Sequence, residues 1–228
     1  MTRTMHRRQF TQAALAALAA GHAPAWGLLS EGDAALGVRA ALERGAQAAV
    51  SLLGREDGFL GNPLVRIELP GFLREVGKLM KATGQGKRVD DLVLAMNRAA
   101  EAAVPQAKTL LVNAVKSMSV EDGLRIVRGG DTSVTDFFSR KTREPLTATF
   151  MPIVARTTEK VALAQKVERV ASRAAGMGLL KAGDADLKAY VTGRTLDGLY
   201  KTIGEEEKKI RRDPAATGSA ILKKVFGG

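Results

Sequence analysis

The stretch Val89-Asp-Asp-Leu-Val-Leu-Ala-Met-Asn-Arg-Ala-Ala-Glu-Ala-Ala-Val-Pro-Gln-Ala-Lys-Thr-Leu-Leu-Val-Asn-Ala-Val-Lys-Ser-Met118 decides the fold class. Its apolar residues fall at Val89, Leu92, Val93, Met96, Ala99, Ala100 and Ala103, then at Leu110, Leu111, Ala114, Val115 and Met118. Spacings of three and four place them along one face of an α-helix. Pro105 removes a backbone donor and clashes one turn back, so the stretch should kink or divide into two helices there.

The same period extends to both sides. Toward the N-terminus, Val38, Leu42, Ala46, Ala49, Val50 and Leu53 form one stripe, with Ser30 and Asp33 placed as a capping box and Gly54 as a stop. Gly71 to Thr83 reads as a helix with Phe72, Val76, Leu79 and Met80 inward, broken by Gly84-Gln85-Gly86. Toward the C-terminus, Ser119 with Asp122 starts a short helix that Gly129-Gly130 stops. Asp131 or Thr132 caps a long segment whose core candidates are Val134, Phe137, Phe138, Leu146, Phe150, Ile153 and Val154. Pro145 and Pro152 fall inside it and predict kinks or a break. Helical spacing resumes through Val161, Val167, Val170 and Ala174, and 176–183 reads as a loop. Asp184 is placed to cap a helix carrying Leu187, Tyr190, Val191, Leu199, Ile203 and Ile210; Asp213-Pro214 then opens a last helix to about Phe226.

These patterns predict an all-α, single compact multi-helix domain of seven to eight helices. One irregular segment, 55–70, departs from it: Asp57-Gly58, Gly61-Asn62-Pro63 and Leu69-Pro70 are turn signals, and Leu64–Leu69 is short, β-like and extended rather than paired. Irregular loops on helical scaffolds often line binding sites. The chain contains only seven Phe, two Tyr and one Trp, so the core must be built mainly from Ala, Leu, Val and Met.

The N-terminus reads as an address label. Arg3, Arg7 and Arg8 precede the Ala-rich run Thr11–Ala20, and Ala23-Pro24-Ala25 is a small-x-small exit, predicting a secretory signal peptide cleaved after Ala25. Arg7-Arg8-Gln9-Phe10 resembles a twin-arginine signal, although His6 and Thr11 depart from its usual flanks. Ordinary secretory export is the alternative route. The mature chain is then 26–228, about 200 residues, which suits one large domain or two small ones, and the short loops favour one. No apolar run beyond the leader is long enough to span a bilayer.

Both histidines, His6 and His22, lie in the leader, and cysteine is absent. The remaining chain therefore has no Cys or His nucleophile, imidazole base, Cys/His zinc site, haem-ligating histidine or disulfide. No metal site and no cofactor is predicted. Asp57 and Asn62 lack the alternating Asp/Asn pattern with a terminal Glu that a calcium loop requires. Gly129-Gly130-Asp131-Thr132-Ser133 lacks the Gly-Lys-Ser/Thr of a P-loop and reads as a cap-to-cap junction. Glu205–Arg212 reads as a solvated charged helix face.

The polar residues that stand out are Asn97, Arg98 and Glu101, which share a face of an otherwise apolar helix. They are either an anchor for a ligand head group or a pair holding the helix against the 55–70 loop. Together with Asn62 and Arg66 of that loop they form the candidate ligand-binding set. With 35 Lys and Arg against 24 Asp and Glu, the chain is strongly basic. After export, that charge points to anionic lipid, lipopolysaccharide, peptidoglycan or acidic proteins rather than nucleic acid. Simple colloidal solubility is the competing account. Scarce aromatics further disfavour single-strand nucleic-acid binding, which relies on base stacking.

Several stretches also carry a family likeness: Asp57-Gly-Phe-Leu-Gly-Asn-Pro63 with Val65-Arg-Ile-Glu-Leu-Pro70, Met96-Asn-Arg-Ala-Ala-Glu101 with Ala103-Val-Pro105, Gly129-Gly-Asp131, Leu196-Asp-Gly-Leu199, Glu205-Glu-Glu-Lys-Lys-Ile-Arg211, Asp213-Pro-Ala-Ala216 and Leu222-Lys-Lys-Val-Phe-Gly227. In this order the chain resembles the bacterial domain-of-unknown-function 4197 family. The resemblance implies an exported helical protein of Gram-negative bacteria, usually behind a signal peptide, and brings no catalytic residues with it; with the leader it makes the periplasm the expected location. The expected function is a non-catalytic binding module for an amphiphilic or lipid-like anionic ligand. The alternatives are an envelope scaffold that binds a partner protein, and a hydrolase using Asp/Glu or Ser/Lys chemistry.

Overall fold

The computed structural model describes residues 31–130, 132–176 and 186–217. Among these residues the chain forms eight α-helices and no strand: α1 (Glu31–Leu53), α2 (Gly71–Ala82), α3 (Gly86–Ala103), α4 (Lys108–Lys116), α5 (Val120–Arg128), α6 (Ser133–Thr158), α7 (Ala162–Gly176) and α8 (Leu187–Arg212). Short 3₁₀ turns occupy Val104–Ala107 and Ala215–Thr217. The leader, Ser30, Asp131, the loop expected at 176–183 apart from Gly176, Asp184 and the last helix beyond Thr217 lie outside the described residues.

The α8 helix lies between α1 and α6; α3 packs on α6, and α4 and α5 pack on α1. The periodic stripes are the core. Val38, Leu42, Ala46, Ala49 and Leu53 of α1 are sealed, as are Leu92, Met96, Ala99, Ala100 and Ala103 of α3. Phe137 and Phe138 meet edge to face with centroids 5.3 Å apart. Tyr200 is wholly buried, its hydroxyl 2.9 Å from Thr142 Oγ1. Burial holds that phenol above the ordinary tyrosine range, against the opposing pull of the Thr142 hydrogen bond.

Local signals act where the physics predicts. The helix ends at Ala103, tightens into a 3₁₀ turn across Pro105 and restarts at Lys108. Ser119 and Asp122 form a reciprocal capping box, with Asp122 N–H donating to Ser119 Oγ at 3.0 Å and Ser119 N–H to Asp122 Oδ2 at 3.3 Å. Asp213 Oδ1 accepts the Ala216 N–H at 3.0 Å.

Four expectations need correction. Of the kinks or break expected at Pro145 and Pro152, the break does not occur: the α6 helix runs on through both. Both rings are exposed while Leu146, Phe150 and Val154 are buried, and burial on that face outweighs the loss of about 3 kcal/mol per proline. The N-cap of α8 is Asp186, whose Oδ1 accepts from Lys188 and Ala189 N–H at 2.9 and 3.0 Å. On α2, Val76 and Leu79 face outward, 51% and 66% exposed, because this helix packs chiefly on α3 and its apolar arc is wider than one neighbour covers. The Glu205–Arg212 run is not wholly solvated: Glu207 is buried and ion-paired to Arg211, which also donates to the Ile126 carbonyl at 3.2 Å.

Candidate functional site

The five residues singled out in the sequence converge on the 54–70 segment, which turns back over α3 and α8. Phe59, Val65 and Ile67 of this segment insert into the core. Its close approach to α8 depends on Gly198, where a Cβ would lie 3.0 Å from Phe59 Cε1 and 3.2 Å from Val65 Cβ. At Asp57 the backbone adopts a left-handed conformation (φ 61°), a region in which Asp and Asn are the best tolerated residues after glycine.

From beneath, α3 grips the loop. Glu101 is buried, and its Oε1 accepts the Phe59 and Leu60 N–H groups at 3.0 and 3.1 Å. Its Oε2 accepts from Arg98 Nη1 at 2.6 Å. The Arg98 Nη2 reaches Glu56 and Asp57 at 3.1 and 2.9 Å, bracing the left-handed residue. The hydrogen bond to Glu101 holds the Arg98 guanidinium above the ordinary arginine range.

Asn97 is fully buried, and its amide is completely committed. Oδ1 accepts the Ile67 N–H at 2.9 Å, while Nδ2 donates to the carbonyls of Ile67 and Val93 at 2.9 and 2.8 Å. The extended segment around Ile67 thus pairs with a side chain instead of a strand. Asn62 closes an Asx-type turn by accepting the Leu64 N–H at 3.1 Å. Arg66 donates to Glu68 at 2.7 Å and to the Leu60 carbonyl at 3.2 Å, and remains exposed. Asn97, Arg98 and Glu101 therefore act as one clamp on the loop. Asn62 and Arg66 shape the loop's outer side.

An open concavity lies elsewhere, where α2, the start of α3 and the start of α7 meet. This cleft, of about 410 Å³, is lined by Met80, Gln85, Arg88, Asp91, Val161, Ala162, Leu163 and Lys166. A small apolar crevice lies beneath α2, among Leu69, Leu73, Val76, Gly77, Val89, Leu92 and Val167, and it shares Met80 and Leu163 with the cleft. Arg88 donates to the neutral Gln85 amide at 2.9 Å, whereas Asp91 is held by Lys87 at 3.3 Å. None of these lining residues belongs to the candidate ligand-binding set read from the sequence, where Val76, Met80, Val89, Leu92, Val161 and Val167 were read as inward-facing helix positions. The available signal was the breadth of the apolar arc on α2, which exceeds what α3 alone can cover.

Among the described residues no group of three or more His, Cys, Asp or Glu side chains is placed to hold a metal ion. No described helix is long and apolar enough to cross a membrane. The molecule is thus an all-α single-domain protein with an irregular loop clamped by buried polar side chains and an open cleft at one end of α2. It belongs to the family described as "Protein of unknown function (DUF4197)", whose model matches residues 28–227. Comparison with curated proteins and with solved structures returns no match.

Proposed function

We propose that this protein is a non-catalytic carrier or sensor of an amphiphile with an anionic head group, bound where α2, α3 and α7 meet. The supporting observation is the continuity of the polar cleft with the apolar crevice through Met80 and Leu163. The apolar part lies against Met80, Val161 and Leu163 at the wall of the cleft, and the crevice, about 30 Å³, takes no more than its end; the head group stays between Arg88 and Lys166. Ligand sites of a few hundred Å³, mostly apolar with a few placed charges, are the usual solution for such molecules. The clamp of Asn97, Arg98 and Glu101 serves this reading as scaffold, since its polar atoms are committed to the loop and to one another. Arg66, exposed on the loop, is a second point for an anionic group.

The leader-like N-terminus supports a periplasmic site for this activity in a Gram-negative cell. The intact mass of the protein recovered from cells tests that placement, with cleavage after Ala25 expected.

Titration with a fluorescent long-chain carboxylate and its matching alcohol tests the ligand class. The carboxylate should bind about tenfold tighter, a difference of about 1.4 kcal/mol, and Arg88→Ala with Lys166→Ala should erase that preference. Absence of binding, or equal affinity for carboxylate and alcohol, rejects the reading. Ala162→Trp, which places an indole in the cleft, should abolish binding of both.

A further inference from the structure

The cleft carries an acid among its cations. Asp91 lines it together with Arg88 and Lys166, and no other carboxylate does. Arg88 does not neutralise it: that side chain reaches back one turn and donates to the Gln85 amide oxygen at 2.9 Å. Lys166, one turn beyond Ala162 on α7, meets no acid among the described residues. The partner of Asp91 is Lys87, whose ammonium lies 3.3 Å from Oδ1 on a side chain 87% exposed. Lys87 is not one of the residues that line the cleft. An exposed pair of this kind holds little energy and exchanges readily with another cation. The second oxygen of Asp91 has no partner among the described residues.

This arrangement discriminates within the class of anionic amphiphiles. An acid held between Arg88 and Lys166 has the Asp91 carboxylate as a neighbour, and like charges repel. A head group that brings an ammonium beside its acid escapes that repulsion and gives Asp91 a partner. Specificity commonly comes from a repulsive element set beside an attractive one. We infer that the preferred head group is zwitterionic, with its carboxylate or phosphate on Arg88 and Lys166 and its primary ammonium on Asp91. The inference rests on the cleft as the amphiphile site and adds to it one specificity-determining residue.

Calorimetric titration of the purified protein at neutral pH tests it with dodecanoate, α-hydroxydodecanoate and α-aminododecanoate, which share a chain and differ only beside the acid. Lysophosphatidylglycerol and lysophosphatidylethanolamine carry the same contrast on a phosphate and identify which acid the site takes. In at least one series the ammonium compound should bind about threefold tighter than its hydroxyl counterpart. Asp91→Asn should erase that difference and at the same time tighten binding of plain dodecanoate, because it removes a repelling charge and keeps the shape of the side chain. Lys87→Ala, which frees Asp91, should widen the preference. Binding without an ammonium preference in either series overturns this inference and leaves the amphiphile reading of the cleft standing. So does a preference that survives Asp91→Asn, or uniform weakening of every ligand by that variant, which would mark Asp91 as structural. Absence of binding by all five compounds rejects both readings.

Discussion

Asn97 and Ile67 exchange a pair of hydrogen bonds in the core, with Asn97 Oδ1 accepting from the Ile67 N–H and Nδ2 donating to the Ile67 carbonyl, both at 2.9 Å. A primary amide has the donor–acceptor pattern of a peptide group, so one side chain on a helix replaces the neighbouring strand that an extended segment normally needs. This relationship lets an irregular loop lie buried in an all-α protein.

Replacing that side chain should be costly. Asn97→Ala leaves the Ile67 N–H and carbonyl without partners in a buried site, at about 1–3 kcal/mol per group. We expect a loss of about 3 kcal/mol in urea denaturation. Asn97→Asp, which keeps the acceptor and loses both donors, should also be destabilised. A change for Asn97→Ala within about 0.5 kcal/mol would show that the loop is held by other contacts.

Glu101 makes a graded prediction. Glu101→Gln retains an oxygen for the Phe59 and Leu60 amides but turns an NH2 donor toward Arg98, losing that hydrogen bond with the charge, so a cost of about 2–3 kcal/mol is expected. Glu101→Ala strands both amides and takes from Arg98 its buried partner, leaving it Glu56 and Asp57, and should cost about 3–5 kcal/mol. Hydrogen exchange at Phe59 and Leu60 reads the difference directly. Equal protection in the two variants would contradict the clamp.

Two glycines of α8 should respond with opposite signs. At Gly193 a Cβ meets nothing within 4 Å, so Gly193→Ala should stabilise by about 0.5–1 kcal/mol through helix propensity. At Gly198 the new methyl meets Phe59 at 3.0 Å and Val65 at 3.2 Å and pushes the loop off the helix. Crowding of this kind costs about 1–3 kcal/mol, enough to outweigh the same propensity gain. Thermal melts of the two variants are the check, and a shift of the same sign in both would refute the close packing of loop on helix.

Acid should act on the capping box of α5. Burial of Asp122 opposes its ionisation, but hydrogen bonds from the Ser119 backbone and hydroxyl, with help from Lys141 and Arg125, hold its carboxyl below the ordinary range. The folded state therefore binds this proton less readily than the unfolded chain. Its contribution is fully present above about pH 4 and declines as pH falls through the depressed value. Asp122→Asn should flatten the acid limb of the stability profile relative to the parent. Parallel limbs between about pH 2 and 4 would remove Asp122 from the account.

Much of the fold was legible in the chain itself. The stripes of α1 and α3, the division at Pro105 and the Ser119 cap are local: each depends on residues within a turn or two, where period and hydrogen-bonding chemistry act directly. The polar trio on α3 stood out for the same reason, as polar residues on an apolar face. Its partners did not, because Phe59, Leu60 and Ile67 contribute backbone groups that any residue carries. The outward Val76 and Leu79, the burial of Glu207 and the passage of α6 through two prolines were hidden likewise. Each depends on how much neighbouring surface a helix meets.

By itself, then, the sequence determined the class of fold, the helix boundaries at Pro105 and Ser119, and the absence of histidine and cysteine chemistry beyond His22. Tertiary structure alone decided that Asn97, Arg98 and Glu101 would be committed to a loop, and that a cleft would open where α2 is incompletely covered. The physical reason is range. Periodicity and capping are fixed by neighbours along the chain, whereas burial, and the choice of which polar groups are satisfied internally, belongs to segments that meet only after folding.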